Sequence, residues 1–276
     1  MKPSKIQKFL YRTLVGRFLL KILTVPVISA IVGKFMDSPL SIPCIKPFIR
    51  CNNIDMSEYE ENEFRSYNEF FTRKIKSECR VVNMNPNFLI SPCDSKLTAY
   101  KINDRSIFNI KNSHYRIEDL LHSKSLAQRF TDGYCLIFRL EVDDYHRYCY
   151  IDNGTKSRNF FIQGVLHTVN PIALERYNIY KQNSREFTVL HTENFGDVVQ
   201  VEVGAMMVGR ICNYQETGSF RRGQEKGMFE FGGSTVVLLF EKDKICLNDD
   251  ILRNSASGTE TVVKFGSKIG YKNLST

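Results

Sequence analysis

The sequence predicts an α+β fold, rich in β structure from about residue 88, with helices gathered in front of it. Three observations carry that expectation. Apolar and basic residues recur with helical spacing over the first fifty positions. Period-two runs fill the second half, as in Phe138-Arg139-Leu140-Glu141-Val142 and Val199-Gln200-Val201-Glu202-Val203. Ser234 then opens onto Val236-Val237-Leu238-Leu239-Phe240, a continuous apolar run of the kind a buried strand uses.

Residues 1–50 stand apart. They hold nine Lys or Arg against one acid, Asp37, whereas the other 226 residues carry 29 charges of each sign. The whole net charge of +8 therefore sits at the amino end, and the neutral body offers no basic face for nucleic acid. Lys5, Lys8 and Arg12 share one helical face, while Ile6, Phe9, Leu10 and Leu14 fall largely on the other. Phe18 to Gly33 is almost wholly apolar, but Lys21 and Pro26 interrupt it and it falls short of the ~20 residues a spanning helix needs. A basic amphipathic segment lying among lipid headgroups fits best, each Lys or Arg near an anionic surface adding about 1 kcal/mol. A secretory signal peptide cut near Ser29-Ala30 is one rival, and a helical hairpin packed on the body is another.

Pro39, Pro43 and Pro47 follow at every fourth position and break the helical pattern. Ser57 and Glu60 have the spacing of a capping box, which predicts a helix of about 18 residues ending at Lys76. Leu97 to Ile102 reads as a strand. Tyr115 to Phe130 predicts a second helix with Ile117, Leu120 and Leu121 inward. Strands are expected again at Phe138–Val142, Phe187–His191, Val199–Val203 and Ser234–Glu241. The eight cysteines make no Cys-x-x-Cys pair and read as reduced thiols in a cytosolic setting. The five histidines make no His-x-x-x-His pair, so no metal site is expected.

The stretch Phe229-Glu230-Phe231-Gly232-Gly233-Ser234-Thr235 is the most informative. Two glycines free the backbone, and the Ser234 hydroxyl can then fold back onto the carbonyl carbon of Gly233. A serine placed so can cut its own chain rather than a substrate. The bland alternative is a Gly-Gly turn entering a core strand.

Other blocks accompany it in order: Tyr67-Asn68-Glu69-Phe70-Phe71-Thr72-Arg73, Ser91-Pro92-Cys93-Asp94-Ser95, Asp144-Tyr145-His146-Arg147 and Val169-Asn170-Pro171. Asn183-Ser184-Arg185-Glu186 through Val203 to Gly209, and Lys226 to Thr235, complete the set. Together they resemble the phosphatidylserine decarboxylases, from about Tyr67 to Gly270. The resemblance implies a compact β core, sandwich- or barrel-like, with amino-terminal helices at the membrane. Two parts are expected: a basic apolar segment over 1–50 and a decarboxylase domain over 51–276, cut into chains 1–233 and 234–276. An N-to-O acyl shift at Gly233-Ser234, β-elimination and hydrolysis would leave a pyruvoyl group on residue 234. In the family that carbonyl forms a Schiff base with phosphatidylserine and withdraws electrons as carbon dioxide departs.

The resemblance assigns Ser234 as pyruvoyl precursor and Asp94 to a charge-relay set; by composition alone Asp94 is an ordinary turn residue after Ser-Pro. Ser95 stands where the family usually has glycine. The family motif usually carries two histidines three residues apart, the second serving self-cleavage; here the first is His146 and the second position holds Cys149. The base is left open among Cys149, His146 partnered by Asp94 or Asp144, and His167. Expected partners are phosphatidylserine and an anionic membrane surface at the cytoplasmic side of the cell membrane; a homodimer is compatible with this. An unprocessed lipid-binding relative and a pyruvoyl decarboxylase of another amine are the alternatives. A serine hydrolase is disfavoured, because no Gly-x-Ser-x-Gly occurs.

Overall fold

Ser234–Phe240, the apolar run of the sequence, lies in the middle of a nine-stranded sheet with all seven residues buried. The structure is a computed structural model that describes residues 9–11, 13, 15, 16, 18, 19, 26–61, 63–105, 107–110, 113–164, 179–204, 210–230 and 234–274. Its strands are β1 (Phe88–Ile90), β2 (Ser95–Lys101), β3 (Ile107–Ile110), β4 (Ser113–Arg116), β5 (Tyr134–Leu140) and β6 (Arg147–Cys149). Next come β7 (Gly154–Lys156), β8 (Phe160–Ile162), β9 (Arg185–Thr192), β10 (Gly196–Val203), β11 (Ile211–Asn213) and β12 (Gly218–Phe220). The last are β13 (Glu225–Phe229), β14 (Ser234–Phe240), β15 (Ile245–Leu247), β16 (Thr261–Val263) and β17 (Lys268–Lys272). The main sheet runs β12-β7-β9-β10-β14-β5-β2-β16, with β8 also on β9, and every pairing is antiparallel. Two three-stranded sheets, β1-β17-β15 and β11-β13-β6, and the hairpin β3-β4 complete it. The fold is α+β and rich in β structure.

Both faces of the main sheet are covered. Side chains alternate across a strand, so Leu97, Phe138, Leu140, Val198, Val236 and Leu238 face one way. They pack against Leu89, Tyr148, Cys149, Phe229 and Ile269 of the smaller sheets. Ile137, Val199, Val201, Val237 and Leu239 face the other way, onto Ile117, Leu120, Leu121 and Tyr180. Burial on two faces explains why the period-two polar residues Gln200 and Glu202 are fully buried rather than solvent-facing. The expected strands at Leu97, Phe138, Phe187, Val199 and Ser234 all form.

The helices depart from expectation at three places. The helix predicted from Ser57 to Lys76 is a short 3-10 turn, Met56–Glu58, and a five-residue helix, Tyr67–Phe71. Segment 58–60 instead pairs with 74–76, through Glu60 N–H to Lys74 O at 3.0 Å and Lys76 N–H to Glu58 O at 2.9 Å. The working cap is Ser66, whose hydroxyl accepts from Glu69 N–H, while the Glu69 carboxylate accepts from Arg65 N–H. The helix predicted over 115–130 splits into Ile117–Leu121 and Lys124–Gln128, because His122 takes φ 51° and Ser123 caps a new start. Ile117, Leu120 and Leu121 point inward as expected. The α-helix Pro26–Met36 does end before the prolines, but two of them start helices: Pro39 opens the 3-10 helix Pro39–Cys44, which contains Pro43, and Pro47 sits in the first turn of Ile45–Asn52.

Those front helices converge on one aromatic cluster, Tyr67, Phe70 and Phe71 with Phe48, Ile49 and Phe64 around them. Phe48 meets Tyr67 edge-on at 5.5 Å, and Ser41 Oγ accepts from Tyr67 N–H at 2.8 Å. Farther forward, Tyr11 is buried against the second core face. Pro26–Met36 is helical, and none of the described helices is long and apolar enough to cross a membrane.

Candidate active site

Ser234 is the first residue of β14, opposite Leu140 of β5. It points to the face that carries Val236 and Leu238, toward the smaller sheets. Its Oγ is buried and has no hydrogen-bond partner among the described residues. Gly233, the predicted cleavage residue, lies outside the described residues, as do His167 and Val169-Asn170-Pro171.

Beyond Leu140 the chain makes a tight turn, with Asp144 N–H on Glu141 O at 3.0 Å and Glu141 N–H on the Asp144 carboxylate at 2.8 Å. His146 hangs from this turn. Its Nδ1 lies 2.8 Å from the Asp144 carbonyl oxygen. A carbonyl can only accept, so Nδ1 carries the proton and Nε2 keeps its lone pair. Nε2 is buried and unpartnered. The imidazole packs at 4.1 Å from the ring of Phe71. Burial pushes its pKa down to about 3, against the Asp144 hydrogen bond and the Asp94 charge, and the Arg73 charge lowers it further. His146 is therefore neutral, a free base held dry. Two orphaned groups, a hydroxyl donor and an imidazole acceptor, flank the same end of β5.

Asp94 is buried on the turn before β2, and its oxygens are taken. Arg80 binds them through Nε and Nη2 at 2.8–3.1 Å, Lys264 Nζ lies at 3.0 Å and Phe265 N–H at 2.8 Å. Burial favours the acid form, yet these donors win and hold its pKa below the ordinary carboxylate value. No hydrogen bond joins it to His146; its influence there is the field of its charge. The Asp144 carboxylate pairs with Lys96 at 2.9 Å. Cys149 is a buried residue of β6 whose N–H donates to Pro92 O at 2.9 Å. Burial raises its thiol far above the usual range, which suits a small apolar filler and not a proton acceptor.

The residues that hold the site were largely invisible in the sequence. Arg80 belongs to no periodic or motif pattern, and Lys264 lies 170 positions from the carboxylate it binds. Lys226 and Glu202 form an ion pair at 2.8 Å with both side chains fully buried, on the same sheet face as Ser234. Glu202 lies opposite Val236, one side-chain step along that face from Ser234. Burial raises the Glu202 pKa, offset by Lys226. Only the Lys226 to Thr235 block hinted at this lysine. Among the described residues no three His, Cys, Asp or Glu side chains gather as a metal would require.

Residues 67–271 match the sequence profile of the phosphatidylserine decarboxylase family. The chain is 49% identical over 267 residues to phosphatidylserine decarboxylase proenzyme 2 of Clostridium acetobutylicum, covering 96% of this chain and 91% of that one. It is 44% identical over 274 residues to the phosphatidylserine decarboxylase proenzyme of Clostridium tetani, covering 98% and 92%. The corresponding Clostridium botulinum proenzyme is 41% identical over 275 residues, covering 98% and 93%.

Proposed function

We propose, from the premise that this chain belongs to the phosphatidylserine decarboxylase family, that it is a proenzyme that cuts itself at Gly233-Ser234 and then converts phosphatidylserine to phosphatidylethanolamine and carbon dioxide. The observation that carries the assignment of roles is the pair of orphaned buried atoms, Ser234 Oγ and His146 Nε2, at one end of β5. Buried polar groups without partners cost ~1–3 kcal/mol each, so a native site that keeps two of them has a use for both.

In the first step the Ser234 oxygen bonds to the Gly233 carbonyl carbon and its proton passes to His146 Nε2. The C–N bond breaks, and the departing nitrogen takes that proton, leaving an ester and a free amine. Loss of the residue-234 α-proton expels the Gly233 carboxylate, and water then replaces the nitrogen, which leaves as ammonia. The product is a chain 234–276 capped by a pyruvoyl group. A buried hydroxyl-bearing residue at the mouth of a strand fits this group, since burial strengthens the electrostatic interactions around the reacting carbonyl. Once formed, the group supplies a carbonyl that condenses with a primary amine and accepts the electron pair released with carbon dioxide.

The residues around it have separate tasks. The Asp144 carbonyl fixes the His146 tautomer, and burial keeps the ring unprotonated at neutral pH. Asp94, anchored by Arg80 and Lys264, supplies a fixed negative field that favours the imidazolium as the proton arrives. The base is His146 rather than Cys149.

The front of the molecule suits a lipid substrate. Ile31, Phe35, Leu40 and Ile42 are exposed, and Lys34, Lys46 and Arg50 are exposed beside them. An apolar patch with a basic surround docks on an anionic bilayer. Together with the charge of residues 1–50, this supports a peripheral placement on the cytoplasmic side of the cell membrane.

Intact-mass analysis tests the reading. Chains of 1–233 and 234–276, the second with a blocked amino terminus, are expected. A single full-length chain with unmodified Ser234 would make the protein an unprocessed lipid binder instead.

A further inference from the structure

We propose that Arg73 binds the phosphodiester of the lipid headgroup, an assignment that rests on the activity above. Its side chain is 1% exposed and belongs to no ion pair among the described residues. Nη1 donates to Phe70 O and Nη2 to the Tyr59 hydroxyl, both at 3.1 Å, and Nε has no partner. The guanidinium lies 4.1 Å over the Tyr59 ring and 4.5 Å over that of Phe70. Stacking offsets part of the cost of burying a cation but supplies no counter-charge.

Other buried arginines differ. Arg80 and Arg139 grip carboxylates, and Arg185 uses its donors on the carbonyls of Leu120, Asp119 and Asn183. Among the described residues Arg73 is the buried arginine that keeps a nitrogen unpaired. It also stands beside the reaction centre. It lies one residue past Thr72, the C-cap of the helix Tyr67–Phe71, whose last residue packs on His146, and its charge is felt by that imidazole.

The substrate offers two anions, a carboxylate and a phosphodiester, on neighbouring atoms of one small headgroup. The carboxylate loses its charge as carbon dioxide leaves. A guanidinium on it would stabilise the ground state more than the transition state and slow the step. The phosphodiester keeps its charge throughout, so binding it lowers KM at no expense to kcat. A planar fork of donors matches its oxygens.

The test uses full-length protein, with processing followed by mass and turnover followed on dihexanoyl phosphatidylserine. R73Q should process normally, raise KM tenfold or more and leave kcat within about threefold. The competitor sn-glycero-3-phosphoethanolamine, which carries the diester and no carboxylate, should inhibit the wild type and lose potency in R73Q by a similar factor. R73K, which keeps the charge but not the fork, should fall between. An unchanged KM overturns the proposal, as does a fall in kcat alone with inhibition intact. Failure of both variants to process would make Arg73 a purely structural residue, which also overturns it. If the processed wild type turns over no phosphatidylserine, the activity is what fails, and calorimetric binding of the same diester to wild type and R73Q still decides Arg73.

Discussion

The ring of Phe71 lies 4.1 Å from the imidazole of His146, so an aromatic residue of the front helices covers a buried histidine of the β core. Sequence places the two residues 75 positions apart. Their contact links the segment that carries the exposed apolar patch to the His146 ring, through the cluster of Phe48, Tyr67 and Phe70.

Removing that cover should change the pH profile of self-cleavage. In the wild type, with the His146 pKa near 3, the base is unprotonated at neutral and mildly acidic pH, and the rate should stay level from pH 8 to about 5. Phe71→Ala admits water, moves the pKa back toward ~6.5 and should make the rate fall as pH drops through 6. Processing followed by gel or mass across this range checks it. Identical profiles would mean that Phe71 does not keep the ring dry.

The same depressed pKa has a stability consequence. Between about 3 and about 6.5 the unfolded chain binds a proton at His146 that the folded chain does not, so acid favours unfolding by about 1.4 kcal/mol per pH unit. Urea midpoints of wild type and His146→Gln, measured at pH 7 and pH 5, should diverge. The wild type should lose about 2 kcal/mol more than the variant, since only the span from about 6.5 down to 5 lies inside that window.

Cys149 should be dispensable for cleavage. Burial keeps it a thiol, so Cys149→Ala should process within a few-fold of the wild-type rate, whereas His146→Gln should slow processing by about two orders of magnitude or more. Cys44 and Cys51 are exposed while Cys93, Cys135 and Cys149 are buried. Maleimide should therefore label the first two in the native protein and the last three only after denaturation.

Lys226 and Glu202 make a pair whose halves cannot be removed separately. Lys226→Met leaves a buried carboxylate alone and should cost about 3–5 kcal/mol by denaturant titration, while the double change with Glu202→Leu should recover most of it. A double variant as unstable as the single one would show that the surrounding polar residues, Asn213 and Tyr148, demand the charges.

Phe35→Glu with Leu40→Glu should abolish sedimentation with phosphatidylserine vesicles and leave self-cleavage intact, because both side chains are exposed and distant in sequence from the cut. Added salt should weaken wild-type binding, as the basic surround requires.

Much of this was legible in the chain. Period-two and apolar runs mark strands because the pleat itself repeats every two residues, and the Gly-Gly-Ser entry to β14 marks the serine whatever surrounds it. The charge imbalance that isolates residues 1–50 is likewise a property of the sequence alone. What the chain could not declare were relations between distant positions. A capping-box spacing occurs at Ser57 and at Ser66, and only the pairing of 58–60 with 74–76 decided which one starts a helix. Gln200 and Glu202 have the pattern of solvent-facing residues until a second sheet covers them. The partners of Asp94, the dry tautomer of His146 and the unpaired guanidinium of Arg73 depend on who arrives from elsewhere in the fold. Local periodicity is written in neighbouring residues; burial, ion pairing and proton affinity are set by desolvation and by charges brought together across the chain, and these exist only once it has folded.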